Sequence, residues 1–433
     1  MGASPTTQAW ERIATHYRLA ERLEAGEVVA LTAQGIKDVG GREPRLMTKF
    51  DTRESRPQQL ARATILPTSN GSYVVLPGDG YRDLPEEADV KSWRLPREAA
   101  ELRTLPWSTG PASESQALDM ALAAGILDDF LEDEGVRLTV RGRRRAPPFN
   151  FDFRCQTKTE RVNVEGVQIE VDSGLEGQAI HLVEGKLGAR TNFHVRQLYY
   201  PLRMWRSEVP SKEVNAIFMS WSNKRFAFRK LGFNPLDDYH AIHLVKALDY
   251  VLEEEASLPS LAELLDRTRP TTLPTVAPFP QADDMRRVID IVDAVAMGRE
   301  SKTEIAELYD FDKRQADYYA NAATFLGLLE RSENGFLLSP IGRNLRSGTL
   351  AHRNILVSER VASLPVFRDA LVAILEQNVA PDFATVERWI INATTLSGAT
   401  PRRRAATVLS WATWVTRTLG GSGGNADGVG FRS

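Results

Sequence analysis

Strand-like and helix-like segments alternate between residues 161 and 233, and this alternation constrains the fold more than any other feature of the chain. The apolar runs that predict strands are RVNVEGVQIEVD (161–172), AIHLVEGK (179–186), VNAIFMSWS (214–222) and RFAFRKLGF (225–233). Between the second and third of them, residues 191–208 have helical periodicity interrupted by Pro201. The order predicts a mixed α/β core within the broad α+β class. We expect this core to be built on a mixed sheet with one face covered.

The length and composition fit several globular domains. The chain has 433 residues, of which 42% are apolar and 26% charged. The single cysteine, Cys155, excludes an intramolecular disulfide framework and a multi-cysteine zinc site. We expect a cytoplasmic protein that does not enter a membrane, because the N-terminus lacks a secretion signal and no apolar run is long enough to span a bilayer.

The charge is unevenly distributed along the chain. The formal net charge is −3, but Arg137 to Lys230 holds eighteen Lys and Arg against nine Asp and Glu. This segment therefore carries nine excess positive charges, and the rest of the chain carries −12. A basic segment of this kind can attract a polyanion such as DNA.

Composition shifts predict six segments. They are an N-terminal α+β segment at 1–136 with a possible role in DNA recognition, a core at 137–258, a Pro-rich linker at 259–282, a helix–helix–helix–hairpin unit at 283–348, a helical segment at 349–419 and a flexible Gly-rich tail at 420–433. Ser69-Asn70-Gly71 is predicted to form a hairpin turn between two apolar runs of the N-terminal segment. Within the core, DDYHAIHLVKALDY (237–250) is interpreted as a helix.

Charged residues stand at the ends of two neighbouring predicted strands. Glu184 and Lys186 share one face of their strand, as Glu170 and Asp172 do on the preceding one. If the strands pair through the turn at 173–176, these groups meet. Two carboxylates form a hard oxygen site suited to Mg²⁺, and Lys186 could orient a water and oppose charge on a phosphoryl group. Glu170 or Glu176 could replace or supplement Asp172 as the first acid.

This arrangement resembles the PD-(D/E)xK nuclease superfamily, whose pattern is an Asp at the end of one strand and Glu-x-Lys on the next. Asp172, Glu184 and Lys186 match it, although Val171 stands where the family name has Pro. HVRQLYYPLRMW (194–205) resembles the helix after the motif, with Gln197 as a site residue and Tyr200 near the DNA, and REPRLMTKFDTRE (42–54) resembles the N-terminal segment of restriction endonucleases. The resemblance implies a type II-like, magnesium-dependent restriction endonuclease. It further implies double-stranded DNA as substrate, a homodimer on a palindromic site and functional pairing with a DNA methyltransferase.

The order of helices and hairpin at 283–348 is that of a winged helix-turn-helix, and it resembles those appended to several restriction endonucleases. Its third helix predicts an exposed recognition stripe, although a winged helix can also serve protein docking or be purely structural. The residues predicted to contact DNA are Arg143, Arg144, Arg145, Arg190, Arg196, Tyr200, Arg314, Gln315, Tyr318 and Asn321. Two alternatives remain open: a non-catalytic DNA-binding regulator with a nuclease-like fold, and a nuclease for branched or modified DNA.

Overall fold

The computed structural model describes residues 5–252, 257–310 and 312–420. It has a mixed seven-stranded sheet, a smaller N-terminal α+β unit and a helical C-terminal region, so the predicted α+β class is confirmed. Apart from Gly420, the predicted tail lies outside the described residues. None of the described helices is long and apolar enough to cross a bilayer.

The N-terminal unit packs four helices on a three-stranded antiparallel sheet of order β1-β3-β2. Its elements are α1 (Pro5–His16), α2 (Leu19–Glu24), β1 (Val29–Thr32), α3 (Ala33–Gly40), α4 (Pro44–Met47), β2 (Thr64–Ser69) and β3 (Ser72–Leu76). The predicted hairpin at Ser69-Asn70-Gly71 is confirmed, and Gly71 takes a positive φ of 95° in the turn.

The central sheet has the order β5-β14-β13-β12-β10-β9-β6. Neighbouring strands are antiparallel except for β10 with β12 and β14 with β5. The elements from the first strand outside the N-terminal unit to the end of the sheet are β4 (Tyr81–Asp83), β5 (Val90–Ser92), α5 (Arg97–Ala100), α6 (Glu114–Ala123), α7 (Ile126–Leu131), β6 (Arg137–Arg145), β7 (Phe149–Arg154), β8 (Thr159–Val164), β9 (Gln168–Glu176), β10 (Ile180–Leu187), β11 (Asn192–His194), α8 (Arg196–Glu208), β12 (Val214–Ser222), β13 (Arg225–Phe233) and β14 (Ile242–Val251).

Both faces of this sheet are covered, which corrects the prediction of one covered face. Val183 and Leu187 of β10 pack with α6, α7 and the C-terminal helices, whereas Ile180 and Leu182 pack with α8. The two sets alternate along the strand as the pleat requires. Glu184 and Lys186, which have even numbers like Ile180 and Leu182, therefore lie on the α8 side.

The C-terminal region continues the core that covers the α6 face. Its elements are α9 (Leu261–Arg267), α10 (Met285–Ala296), α11 (Lys302–Tyr309), α12 (Lys313–Phe325), β15 (Leu329–Ser332), β16 (Gly335–Leu338), α13 (Pro340–Ser347), α14 (Leu350–Ala362), α15 (Pro365–Gln377), α16 (Phe383–Ala393) and α17 (Thr400–Gly420). The helix–helix–helix–hairpin order predicted for 283–348 is present in α10 to β16.

Three predictions about organisation need correction. The boundary at 136 falls inside the core, because β5 joins the sheet and α6 and α7 cover it. The segment 259–282 is not a plain linker, since it contains α9 and buries Phe279 against the C-terminal helices. The segment 237–250 is not a helix, because its second half forms β14, which pairs with both β13 and β5.

Candidate functional site

The β9–β10 hairpin brings Asp172, Glu184 and Lys186 together, and it turns at residues 177–179 rather than at the predicted 173–176, which lie within β9. Its register pairs Val183 with Ser173, so Glu184 and Asp172 are the next residues along the ladder. The Asp172 carboxylate accepts a hydrogen bond on Oδ2 from the Gly185 amide at 2.9 Å. Local pairing of two strands is therefore sufficient to place Asp172 beside the Glu184-Gly185-Lys186 segment.

Glu184 accepts two hydrogen bonds on the same oxygen. Lys186 Nζ donates to Glu184 Oε1 at 2.8 Å, and Gln197 Nε2, from the first turn of α8, donates to it at 2.7 Å. The other oxygens, Glu184 Oε2 and Asp172 Oδ1, have no hydrogen bond from any described residue. Each carboxylate thus keeps one oxygen for a further ligand.

Burial and neighbouring charges act against each other in the electrostatics of the site. It raises the pKa of Glu184 to about 8, against the opposing effect of the Lys186 charge. Lys186 is 4% exposed; burial lowers its pKa, but the negative charges of Glu184, Asp51 and Glu114 outweigh burial and raise it well above its usual value. A divalent cation beside Glu184 would favour its ionised form.

The donor set fits Mg²⁺ better than a metal that needs many protein ligands. In the described parts of the chain, no group of three or more His, Cys, Asp or Glu side chains is arranged to hold a metal. Magnesium binds through one or two carboxylates and keeps several waters. Asp172 and Glu184, each with one uncommitted oxygen, meet that requirement.

Of the other two predicted acids, Glu170 lines one small cavity together with Glu184 and Gln197, whereas Glu176 lies away from the site. Glu176 is at the opposite end of the hairpin, paired with Ile180 in the ladder, and its carboxylate binds Lys212 Nζ at 2.7 Å. It is therefore not a site residue. Glu170 is on the strand of Asp172 but is exposed and lies 3.3 Å from Arg143.

Two carboxylates that were not predicted lie beside Lys186. Asp51 Oδ2 is 3.4 Å and Glu114 Oε1 is 3.7 Å from Lys186 Nζ. Asp51 falls within the 42–54 segment noted for its resemblance to restriction endonucleases, which was a usable signal. Glu114 is the first residue of α6 and has no such signal. Burial is the main cause that raises the pKa of Glu114.

The arginines predicted to contact DNA differ in exposure. Arg143, Arg144 and Arg145 are exposed on β6 and line an open concavity with Asn70 and Gln168. Arg190 is buried, 3.7 Å from Asp310, and its Nε and Nη2 have no hydrogen-bond partner among the described residues. Arg196, at the start of α8, is half-buried.

Two other predicted DNA contacts need correction. Tyr200 is 1% exposed and donates its hydroxyl to Pro67 O at 3.1 Å, because α8 turns this side chain into the core. Asn321 is 6% exposed and is hydrogen-bonded to Asp317 and Arg331, so it is not on the surface. On α12, Arg314 and Tyr318 are exposed and Gln315 is half-buried.

The fold and the site define an α+β protein with a carboxylate and lysine cluster at the end of a sheet hairpin. Three family models match the chain, and each is described as a domain of unknown function: DUF6996 at residues 7–75, DUF6997 at 77–251 and DUF7226 at 287–419. The 77–251 match contains the whole seven-stranded sheet and Asp172, Glu184, Lys186 and Gln197. No curated protein and no solved structure matches the chain.

Proposed function

We propose that the protein is a magnesium-dependent, type II-like endonuclease of the PD-(D/E)xK kind that cuts double-stranded DNA at a specific sequence. The observation that carries the proposal is the joining of Asp172, Glu184, Lys186 and Gln197 at one point of the sheet. The topology supports it, because β9 and β10 are antiparallel, α8 follows, and β12 returns parallel to β10.

Each residue has a role that follows from its contacts. Asp172 and Glu184 would hold Mg²⁺ through their uncommitted oxygens, and the ion when bound polarises the phosphate and lowers the pKa of a bound water. The Lys186 ammonium orients the attacking water and opposes negative charge that develops on the phosphoryl oxygens. Gln197 fixes the rotamer of Glu184 through its hydrogen bond to Oε1.

DNA binding would use the exposed arginines of β6 for phosphate contacts, with the half-buried Arg196 nearer the site, whereas the buried Arg190 does not reach the surface. The α10 to β16 unit would act as a winged helix-turn-helix that presents Arg314, Gln315 and Tyr318 to base edges. Cleavage of both strands at a palindromic site suits a homodimer. A DNA methyltransferase would protect the same sequence in the host.

The test is incubation of the purified protein with a long unmethylated duplex, in magnesium and in chelator. We expect discrete fragments that require magnesium. Glu184→Gln and Lys186→Met should lower the cleavage rate by roughly 10²- to 10³-fold or more while retaining duplex binding. Glu165→Ala, an exposed acid outside the site, is the matched control and should cut normally.

Other results would support the alternatives. An intact duplex under every condition, bound equally well without metal, would favour a non-catalytic DNA-binding regulator. Cleavage confined to four-way junctions or to methylated duplex would favour a nuclease for branched or modified DNA.

A further inference from the structure

Asp51 is a buried acid beside the candidate site, and the proposed reaction gives it no role. It is 3% exposed and belongs to the N-terminal unit. Its surroundings hold it firmly against the core, because His194 N donates to Asp51 O at 2.9 Å and Arg53 N donates to Asn192 Oδ1 at 2.8 Å. These two hydrogen bonds join segments that are more than 130 residues apart in the sequence, and they hold the Asp51 side chain in its position.

The Asp51 carboxylate has an unusual shortage of hydrogen bonds. Oδ2 is buried and has no hydrogen-bond partner among the described residues, although buried oxygens of this kind are nearly always paired. Its nearest cation is Lys186 Nζ, at 3.4 Å, with Lys49 Nζ at 3.8 Å. Burial opposes ionisation of Asp51, but these positive charges outweigh it and hold the pKa below its usual range.

Lys186 has to serve two demands. Its ammonium is bonded to Glu184 Oε1 at 2.8 Å, yet Glu184 is also a proposed ligand of a cation that would repel that ammonium. Glu114 is a weaker substitute, since it is 3.7 Å away and its side chain is 38% exposed to screening solvent. Asp51, buried and short of a donor, is the group best placed to keep the ammonium.

We infer that Asp51 is a positioning residue that holds the Lys186 ammonium in place when Glu184 is engaged by the metal. The inference rests on the proposed function and extends it, because the N-terminal unit then completes a site whose other members lie in the sheet. The core segment alone would lack this anchor.

The first test separates kcat from binding. Asp51→Asn should lower kcat by about 10- to 100-fold, the usual cost of losing an outer partner of a site residue, here the charged partner of Lys186, while KM and the duplex Kd in calcium stay at wild-type values. Asp51→Glu should recover part of the loss because it keeps the carboxylate. Glu24→Gln, an exposed acid of the same unit, is the control and should behave as wild type.

A double-mutant cycle shows whether Asp51 acts through Lys186. In a Lys186→Met background, Asp51→Asn should cause no further fall in the residual rate, since the ammonium it positions is already absent. A full, additive loss would overturn the inference. So would wild-type kcat in Asp51→Asn, or failure of both Asp51→Asn and Asp51→Ala to fold, which would make the residue purely structural.

The second readout needs neither metal nor cleavage. In protein labelled with ¹⁵N and ¹³C at lysine, the Lys186 side-chain signal is assigned by its absence in Lys186→Met. Asp51→Asn should shift that signal and Glu24→Gln should not; an unshifted signal would overturn the inference. If wild type cuts the duplex and the Asp51→Asn variant has the same kcat as wild type, this inference alone is rejected. An inert wild type rejects the proposed function and this inference with it.

Discussion

At the scale of single residues, Asp290 is the buried carboxyl that joins the C-terminal helices to the sheet. Its Oδ2 accepts from the Ala189 amide and its Oδ1 from the Ser222 hydroxyl, both at 2.7 Å. Burial nevertheless raises its pKa to about 7. Because Ala189 follows Lys186 by three residues, this contact also fixes the end of the strand that carries the candidate site.

Asp290→Asn should remove a pH-dependent cost of folding. Between about pH 4 and pH 7 the unfolded chain has lost the Asp290 proton and the folded chain keeps it, so the free energy of unfolding falls as pH rises. Relative to the Asn variant, wild type should lose up to about 4 kcal/mol across this range. Denaturant unfolding at pH 4.5, 6 and 8 measures it, with exposed Glu300→Gln as control. Parallel curves for wild type and Asp290→Asn would contradict the prediction.

At the scale of elements, the β9–β10 hairpin is held at its turn by a residue from another segment. Asp133, which follows α7, accepts from the Gln178 and Ala179 amides at 3.1 Å and lies 3.0 Å from His181 Nε2. Gly177 packs so closely that a Cβ there would lie 2.5 Å from Asp133 Oδ1. The hairpin that presents Asp172 and Glu184 is thus anchored at the opposite end.

Asp133→Ala should destabilise the protein by about 3 kcal/mol, because it leaves two partly buried amides and a buried imidazole without their charged partner. The measurement is the free energy of unfolding compared with Glu134→Ala, the exposed neighbour, which should remain within about 0.5 kcal/mol of wild type. Equal stability of the two variants would show that the turn holds without Asp133.

The elements also show which structural predictions follow from local sequence. The strands at 214–222 and 225–233 and the turn at Ser69-Asn70-Gly71 match the structure, because alternation and turn chemistry act over a few residues. The segment 237–250 was wrongly predicted as helix. From Ile242 onward this segment pairs with the preceding strand β13 and, at Asp249 to Val251, with the distant strand β5, and this pairing overrides a weak local pattern.

At the scale of the whole molecule, the basic segment presents three neighbouring charges to solvent. Arg143, Arg144 and Arg145 are exposed, although Arg143 lies near Glu170 and Arg144 near Glu208. Such surface pairs contribute little to stability, so these arginines are free to exchange their partners for phosphates. Part of the excess positive charge of the basic segment is therefore exposed on β6.

Replacing all three with Ala should weaken duplex binding at low salt and reduce the slope of log K against log salt by up to about 3, because each phosphate contact contributes about 0.9. Titrations at several salt concentrations measure the slope. Arg402→Ala with Arg403→Ala, exposed on α17, is the control and should leave the slope unchanged. An unchanged slope in the triple variant would show that the β6 arginines do not contact the DNA phosphates.

The sequence by itself determined the α+β class, the pairing of the two strands at the site and the meeting of Asp172, Glu184, Lys186 and Gln197. These depend on the two-residue period of strands and on a hairpin closed by a short turn, which are local properties. The tertiary structure alone decided that Asp51 and Glu114 surround Lys186, that β5 joins the sheet, and that Tyr200 and Asn321 are buried. Those outcomes depend on which distant surfaces pack together, and no spacing along the chain encodes that choice.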